Sequence, residues 1–495
     1  MRFSNKELFK VNTLRTLLLA FVAVGLVAAT PAYSADLWDV YQLALTNDPT
    51  FAQSQANYEA ALENKPIARA GYLPNLGFIA SRNIQRSNGS QPFGFGPNGP
   101  IQGNFNSNNY STAYSIQLTQ PIFNWAAWEN IKEADASVAQ AEALYLAAQQ
   151  SLIVRTATAY FNVITARDTL AADHATTAAN EKQLAQAKAK YQVGMSAITD
   201  VQNAQAAYDQ SVATEIGAQQ QVINAEESLR AITGEPVGVL QEPVIGMPLR
   251  TPNPDNAGQW VTQALKQNPN LLAAQAAAEV ASSLVSIKRA GHYPTLDLTL
   301  QHTKNKNTND FSALGSQFGE FSNTNGNSLL LQFNLPIFSG GGVSAQVTQA
   351  QRQYDAAEDQ VKLVTRQTEQ QARTSYLGVL TGISQVRALQ QSVKSNETSL
   401  QAMETGMQVG TRTIVDVLLA RQNLVTAQTN YAQSRDNYLT SVLQLKQAAG
   451  ILAPQDVKQI NALLQVPTPM PSMDTQMPPS AADMPETSPP GGNNN

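Results

Sequence analysis

Residues that could perform covalent or metal chemistry are scarce in this chain of 495 residues. Cysteine is absent, which excludes disulfides, thiolate metal sites, thiol nucleophiles and lipid attachment through cysteine. The three histidines, His174, His292 and His302, lack a second histidine at the spacing of a metal site. The sequence therefore predicts no metal site, no cofactor and no enzyme activity.

Two kinds of nucleotide binding are also excluded. The segment GFGPNG at 94–99 matches the letters of the dinucleotide fingerprint, but no strand–turn–helix unit surrounds it and Pro97 would break a helix beginning there. The net charge is -5 and no run of Lys or Arg occurs, so the basic surface that nucleic acids require is missing. We expect neither a dinucleotide nor a nucleic-acid ligand.

The remaining candidates lie near two Val-Gly pairs. Gly194 and Gly410 each follow a valine at the end of an alanine- and glutamine-rich stretch, where glycine supplies the left-handed cap of a helix. Asp416 comes three residues after a threonine, so it can complete a capping box. Judged from the residues alone, Asp200 and Arg412 are ordinary surface charges. A structural role and a functional role therefore stay open for these charged residues.

The beginning of the chain is typical of an export signal. Basic residues, among them Lys6, Lys10 and Arg15, precede an apolar run of 13 residues at 17–29, which is followed by Pro31 and Ala32-Tyr33-Ser34-Ala35. That run is too short for a membrane helix, which needs about 20 residues. We predict a cleaved signal peptide over 1–35. Beyond it no continuous run of 18 apolar residues occurs, so the exported chain is either soluble or crosses a membrane as a β-barrel.

The rest of the chain is a tandem repeat. Asp48-Pro49 recurs 220 positions later as Asn268-Pro269, and Val193-Gly194 recurs 216 positions later as Val409-Gly410. Self-similarity over such a long period indicates two copies of one structural unit. The sequence predicts repeat 1 at 36–235, a linker at 236–255, repeat 2 at 256–465 and a disordered, proline-rich tail at 466–495.

Each repeat contains two segments of alternating apolar and polar residues. They flank stretches rich in Asn, Gly and Pro, which we interpret as exposed loops. The apolar positions are Leu76, Phe78 and Ala80, then Tyr110 to Leu118, Leu296 to Leu300, and Leu329 to Leu335. Segments of about ten residues with one apolar face are typical of outer-membrane barrel strands. An ordinary soluble hairpin remains the alternative.

Long helices follow the strands. Proline is absent between Pro121 and Pro236 and between Pro336 and Pro454, where Ala, Gln, Glu and Leu dominate. We predict helices at about 124–192 and 343–408, each about 100 Å long at 1.5 Å per residue. Shorter helices are predicted at 37–72, 198–233, 256–291 and 414–449. Two of these, stacked end to end, match each long helix.

Four strands per chain cannot close a barrel, because transmembrane barrels begin at about eight strands. Two chains would give eight strands and a lumen filled by side chains, whereas three chains give twelve strands and leave room for passage. The expected fold is therefore an α+β membrane protein. It is a homotrimer with a twelve-strand transmembrane β-barrel that continues into a long twelve-helix α-barrel.

Three stretches carry a resemblance to a known family: 158–163 (TAYFNV), 193–204 (VGMSAITDVQNA) and 409–418 (VGTRTIVDVL). The sequence resembles the TolC family of outer-membrane efflux channels from Leu37 to about Leu464. The resemblance implies a trimer in the Gram-negative outer membrane, in contact with its lipid, with the helices in the periplasm. It also implies small-molecule and protein cargo, exported by drug efflux and type I secretion. The implied partners are a periplasmic adaptor and an inner-membrane translocase of the ABC, RND or MFS type.

The resemblance also assigns roles to individual residues at the periplasmic end. Ties that hold the closed tip match Thr199, Asp200 and Arg412, and the helix-turn glycines match Gly194 and Gly410. A cation-selective ring at the constriction matches Asp416. This chain departs from the family pattern at two positions: Leu419 replaces a second ring aspartate and Met407 replaces a tyrosine of the closed tip.

A periplasmic adaptor protein is the alternative function, because adaptors also carry long helical hairpins. An adaptor would have one hairpin per chain and usually a lipid-bearing cysteine or an inner-membrane helix. This sequence predicts two hairpins and neither anchor. The channel is therefore the leading hypothesis.

Overall fold

A computed structural model describes residues 35–466 of the chain, apart from residues 98, 245, 314 and 315. The predicted signal peptide, except for Ala35, and the predicted C-terminal tail, except for Val466, lie outside the described residues.

The first half begins with three helices that are followed by two strands and two longer helices. These elements are α1 Leu37–Asn47, α2 Pro49–Leu62, α3 Asn64–Ala70, β1 Asn75–Gly96, β2 Gly99–Phe123, α4 Trp125–Gln192 and α5 Ile198–Thr233. A two-residue strand, β3 Glu242–Pro243, lies in the segment that leads to the second half.

The second half repeats this order. Its elements are α6 Ala257–Gln267, α7 Pro269–Arg289, a 3-10 turn Ala290–His292, β4 Thr295–Ala313, β5 Ser316–Asn334, α8 Gly342–Gln408 and α9 Ile414–Ala448. The described chain ends with α10 Pro454–Asn461 and the short strand β6 Leu464–Gln465, which pairs with β3.

The long helices have nearly the predicted bounds. α4 has 68 residues and α8 has 67, so each is about 100 Å long. The single helix predicted at 37–72 is wrong, since it is divided into α1, α2 and α3. The residue before Pro49 is forced out of the helical region, and Asp48 instead caps α2 by accepting a hydrogen bond from the Phe51 backbone N–H at 2.7 Å. The prediction at 256–291 fails in the same way before Pro269.

The shorter helices stack end to end beside the long ones. The Asn47 side-chain amide donates a hydrogen bond to the carbonyl of Thr233 at 2.8 Å, which joins the end of α1 to the end of α5. Asn268 makes the equivalent bond to the carbonyl of Ala448 at 2.9 Å. Each bond satisfies a carbonyl that a helix end leaves unpaired. The predicted stacking is confirmed.

The main hydrophobic core surrounds these junctions, at the middle of α4 and α8. We call it the collar. Its fully buried members come from α1, α4, α8, α9 and α10 and include Leu37, Val40, Leu152, Tyr160, Ile164, Val379, Leu439, Leu443 and Val457. Beside this core, Arg155 of α4 forms two hydrogen bonds with the buried carboxylate of Asp48, at 3.1 and 3.2 Å.

The four long strands form one antiparallel sheet in the order β1-β2-β4-β5. They have 22, 25, 19 and 19 residues, so the prediction of ten-residue strands separated by long loops is wrong. The Asn- and Ser-rich stretches continue the ladder instead of leaving it, because backbone pairing satisfies their amide groups and their side chains bond across strands. Ser107, for example, donates to the Asn309 side-chain oxygen at 2.9 Å.

The two faces of the sheet differ in character. The register places Phe78, Ile116, Leu118, Leu300, Leu329 and Leu331 on one face, near the helices. Mainly polar residues cover the other face, among them Ser115, Gln117, Thr119, Gln301 and Thr303. Along β4 the side chains of the first face are exposed from His302 to Lys306, whereas those of the second are half-buried. This is the pattern of a sheet that curls around a polar interior.

One described helical segment, Pro269–His292, is long and apolar enough to cross a membrane by composition alone. It consists of α7 and the turn after it, and α7 packs between the long helices α4 and α8. Its alanines allow this close helix packing, so its composition follows from its place in the helical body.

Candidate functional site

The two Val-Gly turns lie at the same end of the helical body. α4 ends at Gln192 and Gly194 has a φ of 75°, while α8 ends at Gln408 and Gly410 has a φ of 80°. This left-handed conformation is unfavourable for residues with a Cβ, so glycine permits both tight turns. We call the two turns and the adjoining helix ends the tip.

A small apolar cluster joins the two hairpins at the tip. Its buried residues are Leu184, Ala187, Val201, Ala204 and Ile414, and Met407 packs against them. The Gln183 side-chain amide donates to the Met407 sulfur at 3.6 Å, which links α4 to α8. A thioether is a weak acceptor, so this hydrogen bond is weaker than one to a hydroxyl oxygen would be.

The turns themselves expose apolar side chains. Val193, Met195 and Val409 are exposed by 69%, 77% and 70%. These residues contribute little to the stability of the isolated chain, because they remain in contact with water.

The predicted tie residues all lie at the tip, but they do not meet within one chain. The Asp200 carboxylate is half-buried and accepts a hydrogen bond from the Ser196 hydroxyl at 2.6 Å. Thr199 and Arg412 are exposed. Among the residues that the structure describes, no ion pair joins Asp200 to Arg412.

Asp416 caps helix α9. Its carboxylate accepts from the backbone N–H and the hydroxyl of Thr413, both at 2.9 Å, and the Thr413 hydroxyl accepts from the Asp416 backbone N–H at 3.3 Å. The capping-box interpretation is confirmed. The backbone N–H and the hydroxyl of Thr413, with a smaller contribution from Arg412, hold the pKa of Asp416 below its usual value. The carboxylate is therefore negatively charged at neutral pH. Leu419, in the same helix, is 61% exposed.

A buried charge network lies in the collar and was not predicted from the sequence. The Arg435 guanidinium bonds to Asp436 at 3.1 Å and to Asp168 at 3.2 Å, which connects α9 to α4. Asp436 also accepts from the Thr165 hydroxyl at 2.8 Å. Burial raises the pKa of Asp436 to about 6 and also raises that of Asp168, although Arg435 opposes both shifts. Charges are infrequent in these helices, and the adjacent Arg435 and Asp436 were the available signal.

A second missed contact lies between the collar and the tip. Arg421 of α9 bonds to Glu404 of α8 at 2.9 Å, and its side chain is only 16% exposed. The two residues are 17 positions apart across the second turn, so the contact fixes how α8 packs against α9. Its signal was one acidic and one basic residue on opposite sides of that turn.

Comparison with known proteins agrees with this architecture. The family model described as "Outer membrane efflux protein" matches residues 40–235 and 260–451. The outer membrane protein TolC of Escherichia coli is 38% identical over 87% of this chain and 85% of its own length. The TolC protein of Vibrio cholerae is 33% identical over 92% and 99%. The alkaline protease secretion protein AprF of Pseudomonas aeruginosa is 26% identical over 89% and 90%.

Solved structures have the same fold. The outer membrane protein VceC of Vibrio cholerae superimposes with a TM-score of 0.66 at 21% identity, covering 84% of this chain and 96% of that one. A membrane protein of Pseudomonas aeruginosa gives a TM-score of 0.69 at 19% identity, with coverage of 84% and 94%. The α+β fold is thus that of outer-membrane channels. With both halves matched by the family model, this chain belongs to the outer membrane efflux protein family.

Proposed function

We propose that three copies of this chain form one outer-membrane duct through which small molecules and proteins leave the cell. The chain is an outer-membrane efflux channel of a Gram-negative bacterium by its family. The proposal adds the homotrimer, the twelve-strand barrel and the twelve-helix periplasmic tube.

The observation that carries the proposal is the open sheet. In the described chain β1 and β5 each pair on one side only, so two long rows of backbone donors and acceptors are unpaired. Such edges cannot face hydrocarbon, because unpaired N–H and C=O groups are costly there. Pairing β5 of one chain with β1 of the next removes every edge when the ring closes. Three chains are the smallest number that leaves an open lumen.

The tip is the proposed entrance, and Asp200, Thr199 and Arg412 are proposed to hold it shut. Within one chain Arg412 is exposed and makes no ion pair among the described contacts, so its guanidinium is accessible to a neighbouring subunit. A guanidinium and a carboxylate can form two parallel hydrogen bonds. We infer that the tie forms between subunits.

Asp416 is proposed to act both as a cap and as part of a ring. Three ionised carboxylates near the axis would attract multivalent cations more strongly than one surface carboxylate does. Leu419 supplies no second ring, so the attraction should be weaker than with two rings.

The proposed partners are a periplasmic adaptor and an inner-membrane translocase of the ABC, RND or MFS type. Relatives support both secretion and efflux as routes of export: AprF and PrtF are protease secretion proteins, and BepC is an efflux protein. The adaptor alternative is not supported, because the family match covers both hairpins.

Two measurements on the purified protein test the proposal. Native mass spectrometry should give the mass of three chains, and reconstitution into a planar bilayer should give discrete conductance steps. A mass of two chains would contradict the twelve-strand barrel. A trimer that never conducts would contradict the duct.

A further inference from the structure

The long strands carry an unusual distribution of charge. They contain four basic residues, Arg82, Arg86, Lys304 and Lys306, and three acidic ones, Asp297, Asp310 and Glu320. The register places all four basic side chains on the apolar, exposed face of the sheet. Asp297 and Glu320 lie on the polar face, and only Asp310 shares the basic face, in the row of Arg86.

The basic residues form one patch. Arg82, Thr112 and Lys306 occupy a single row across β1, β2 and β4, and Lys304 lies two residues before Lys306 on the same strand. From the strand geometry, Arg82 and Lys306 are about 10 Å apart at the backbone, and the two lysines about 7 Å. The four basic side chains are exposed, and none of them forms an ion pair in the described part of the chain.

The patch lies at one edge of the apolar band. Lys304 and Lys306 are 9 and 11 residues from the start of β4 at Thr295. With about 3.4 Å per residue and a tilt of about 40°, they stand about 23 to 29 Å above that start. The apolar band of such barrels is about 25 Å tall. The backbone of Arg82 lies at a lower height than that of the two lysines, but a long arginine side chain reaches the membrane–water interface.

Tyr114 marks the same level. It lies in the row of Lys304, on the same face, and Tyr110 follows two rows further from the helices. Tyrosines at this height are typical of a membrane–water interface. The helices are at the opposite end of the strands, so this interface belongs to the outer leaflet if the helices are periplasmic.

We propose that the surface formed by Arg82, Arg86, Lys304 and Lys306 binds the phosphate groups of the outer-leaflet glycolipid, lipid A. The apolar band below accommodates acyl chains, and the basic patch above it is complementary to phosphates at the base of the sugar headgroup. The inference rests on the proposed barrel, whose threefold repetition would give three equal sites. It adds a lipid ligand that pore formation alone does not require.

Titration of the purified complex with diphosphorylated lipid A in detergent, followed by native mass spectrometry, tests the site. A Lys near an anionic surface contributes about a fivefold gain in binding, so Lys304→Gln with Lys306→Gln should weaken binding about thirtyfold. The matched control is Lys182→Gln with Lys188→Gln, which removes two exposed lysines from α4 and should bind lipid A like the parent. Lys304→Arg with Lys306→Arg should retain binding.

Several outcomes would overturn the site. These are equal binding by the parent and the double Gln variant, an equal loss in the control, equal binding of dephosphorylated lipid A, or displacement of lipid A by inorganic phosphate. Conductance in phospholipid bilayers without lipid A separates this inference from the proposed function. A parent that conducts but binds no lipid A defeats only the lipid site, whereas a parent that never conducts defeats the duct.

Discussion

The collar and the tip are built from the same long helices but are stabilised in different ways. In the collar, helix ends meet the middle of α4 and α8, and large side chains such as Tyr160 and Leu443 are fully buried. At the tip, five small or medium residues form the buried cluster while Met195 and Val409 face water. Segments with little buried apolar surface open at low free-energy cost. The difference indicates a fixed collar and a tip that can move.

Three left-handed glycines offer the largest test of this comparison. Gly450, in the collar, has a φ of 75°, and an added Cβ would overlap the backbone carbonyl of Gln267. Nothing lies near the corresponding Cβ positions of Gly194 and Gly410. Gly450→Ala should therefore lower the free energy of unfolding by about 3 to 5 kcal/mol, against about 1 kcal/mol for Gly194→Ala or Gly410→Ala. Thermal unfolding of the complex in detergent measures the stability of each of the three variants.

Equal shifts in all three glycine variants would show that the collar is as tolerant as the tip. A Gly450→Ala protein that yields no folded complex, beside a well-folded Gly194→Ala protein, agrees with the prediction.

The buried Asp436 gives the collar a dependence on pH. Its pKa of about 6 in the folded protein lies above the ordinary value of 3.8, so the folded state binds a proton more tightly than the unfolded state. The contribution of this group to stability is therefore full below about pH 4 and is lost as the pH rises through 6. Asp436→Asn should remove a change of the order of 2 kcal/mol between pH 4 and pH 7. The unfolding midpoints of the parent and the variant across that pH range measure this change. If the two midpoints varied with pH in parallel, the prediction would be contradicted.

At the tip, the cap and the ring can be separated. Thr413→Ala removes the hydroxyl of the capping box and should cost about 1 kcal/mol while leaving the charge of Asp416 in place. Asp416→Ala removes the charge as well, so block of the channel by a trivalent cation should be lost only in this variant. Leu419→Asp should tighten the block. Single-channel current with the cation on the periplasmic side measures the blocking constant, and an unchanged constant in Asp416→Ala would leave the residue as a cap alone.

The smallest expected effect on stability comes from the exposed Arg412. Arg412→Ser should change the free energy of unfolding by less than about 0.5 kcal/mol, because its side chain is in water. Conductance should nevertheless rise, since the proposed tie between subunits is lost. Asp200→Ala should raise the conductance in the same way. The double variant, Asp200→Ala with Arg412→Ser, should conduct little more than either single variant. If all three variants conduct as little as the parent, another contact holds the tip shut.

The sequence predicted the helices better than the strands for a physical reason. The absence of proline, the alanine content and the glycine caps are local signals, and they set the ends of α4 and α5 within one residue. The outer parts of β1, β2, β4 and β5 have the composition of loops, and only pairing with a neighbour makes them strands. The contact of Arg435 with Asp168 was hidden, because the two residues are 267 positions apart and lie on different helices. The proposed tie of Asp200 and Arg412 rests on the family resemblance.

The register between β2 and β4 has a consequence for the order in which one chain folds. Ser107 and Asn309, bonded across these strands, are 202 positions apart, whereas β1 with β2 and β4 with β5 are local hairpins. Contacts between distant positions form slowly, because the entropy of closing the intervening loop must be lost first. Folding of α4 and α5 shortens that loop by fixing most of it in a hairpin. We therefore expect the helical body to form while the two strand hairpins are still separate. β2 and β4 then pair late, and until they do, their unpaired edges face the periplasm.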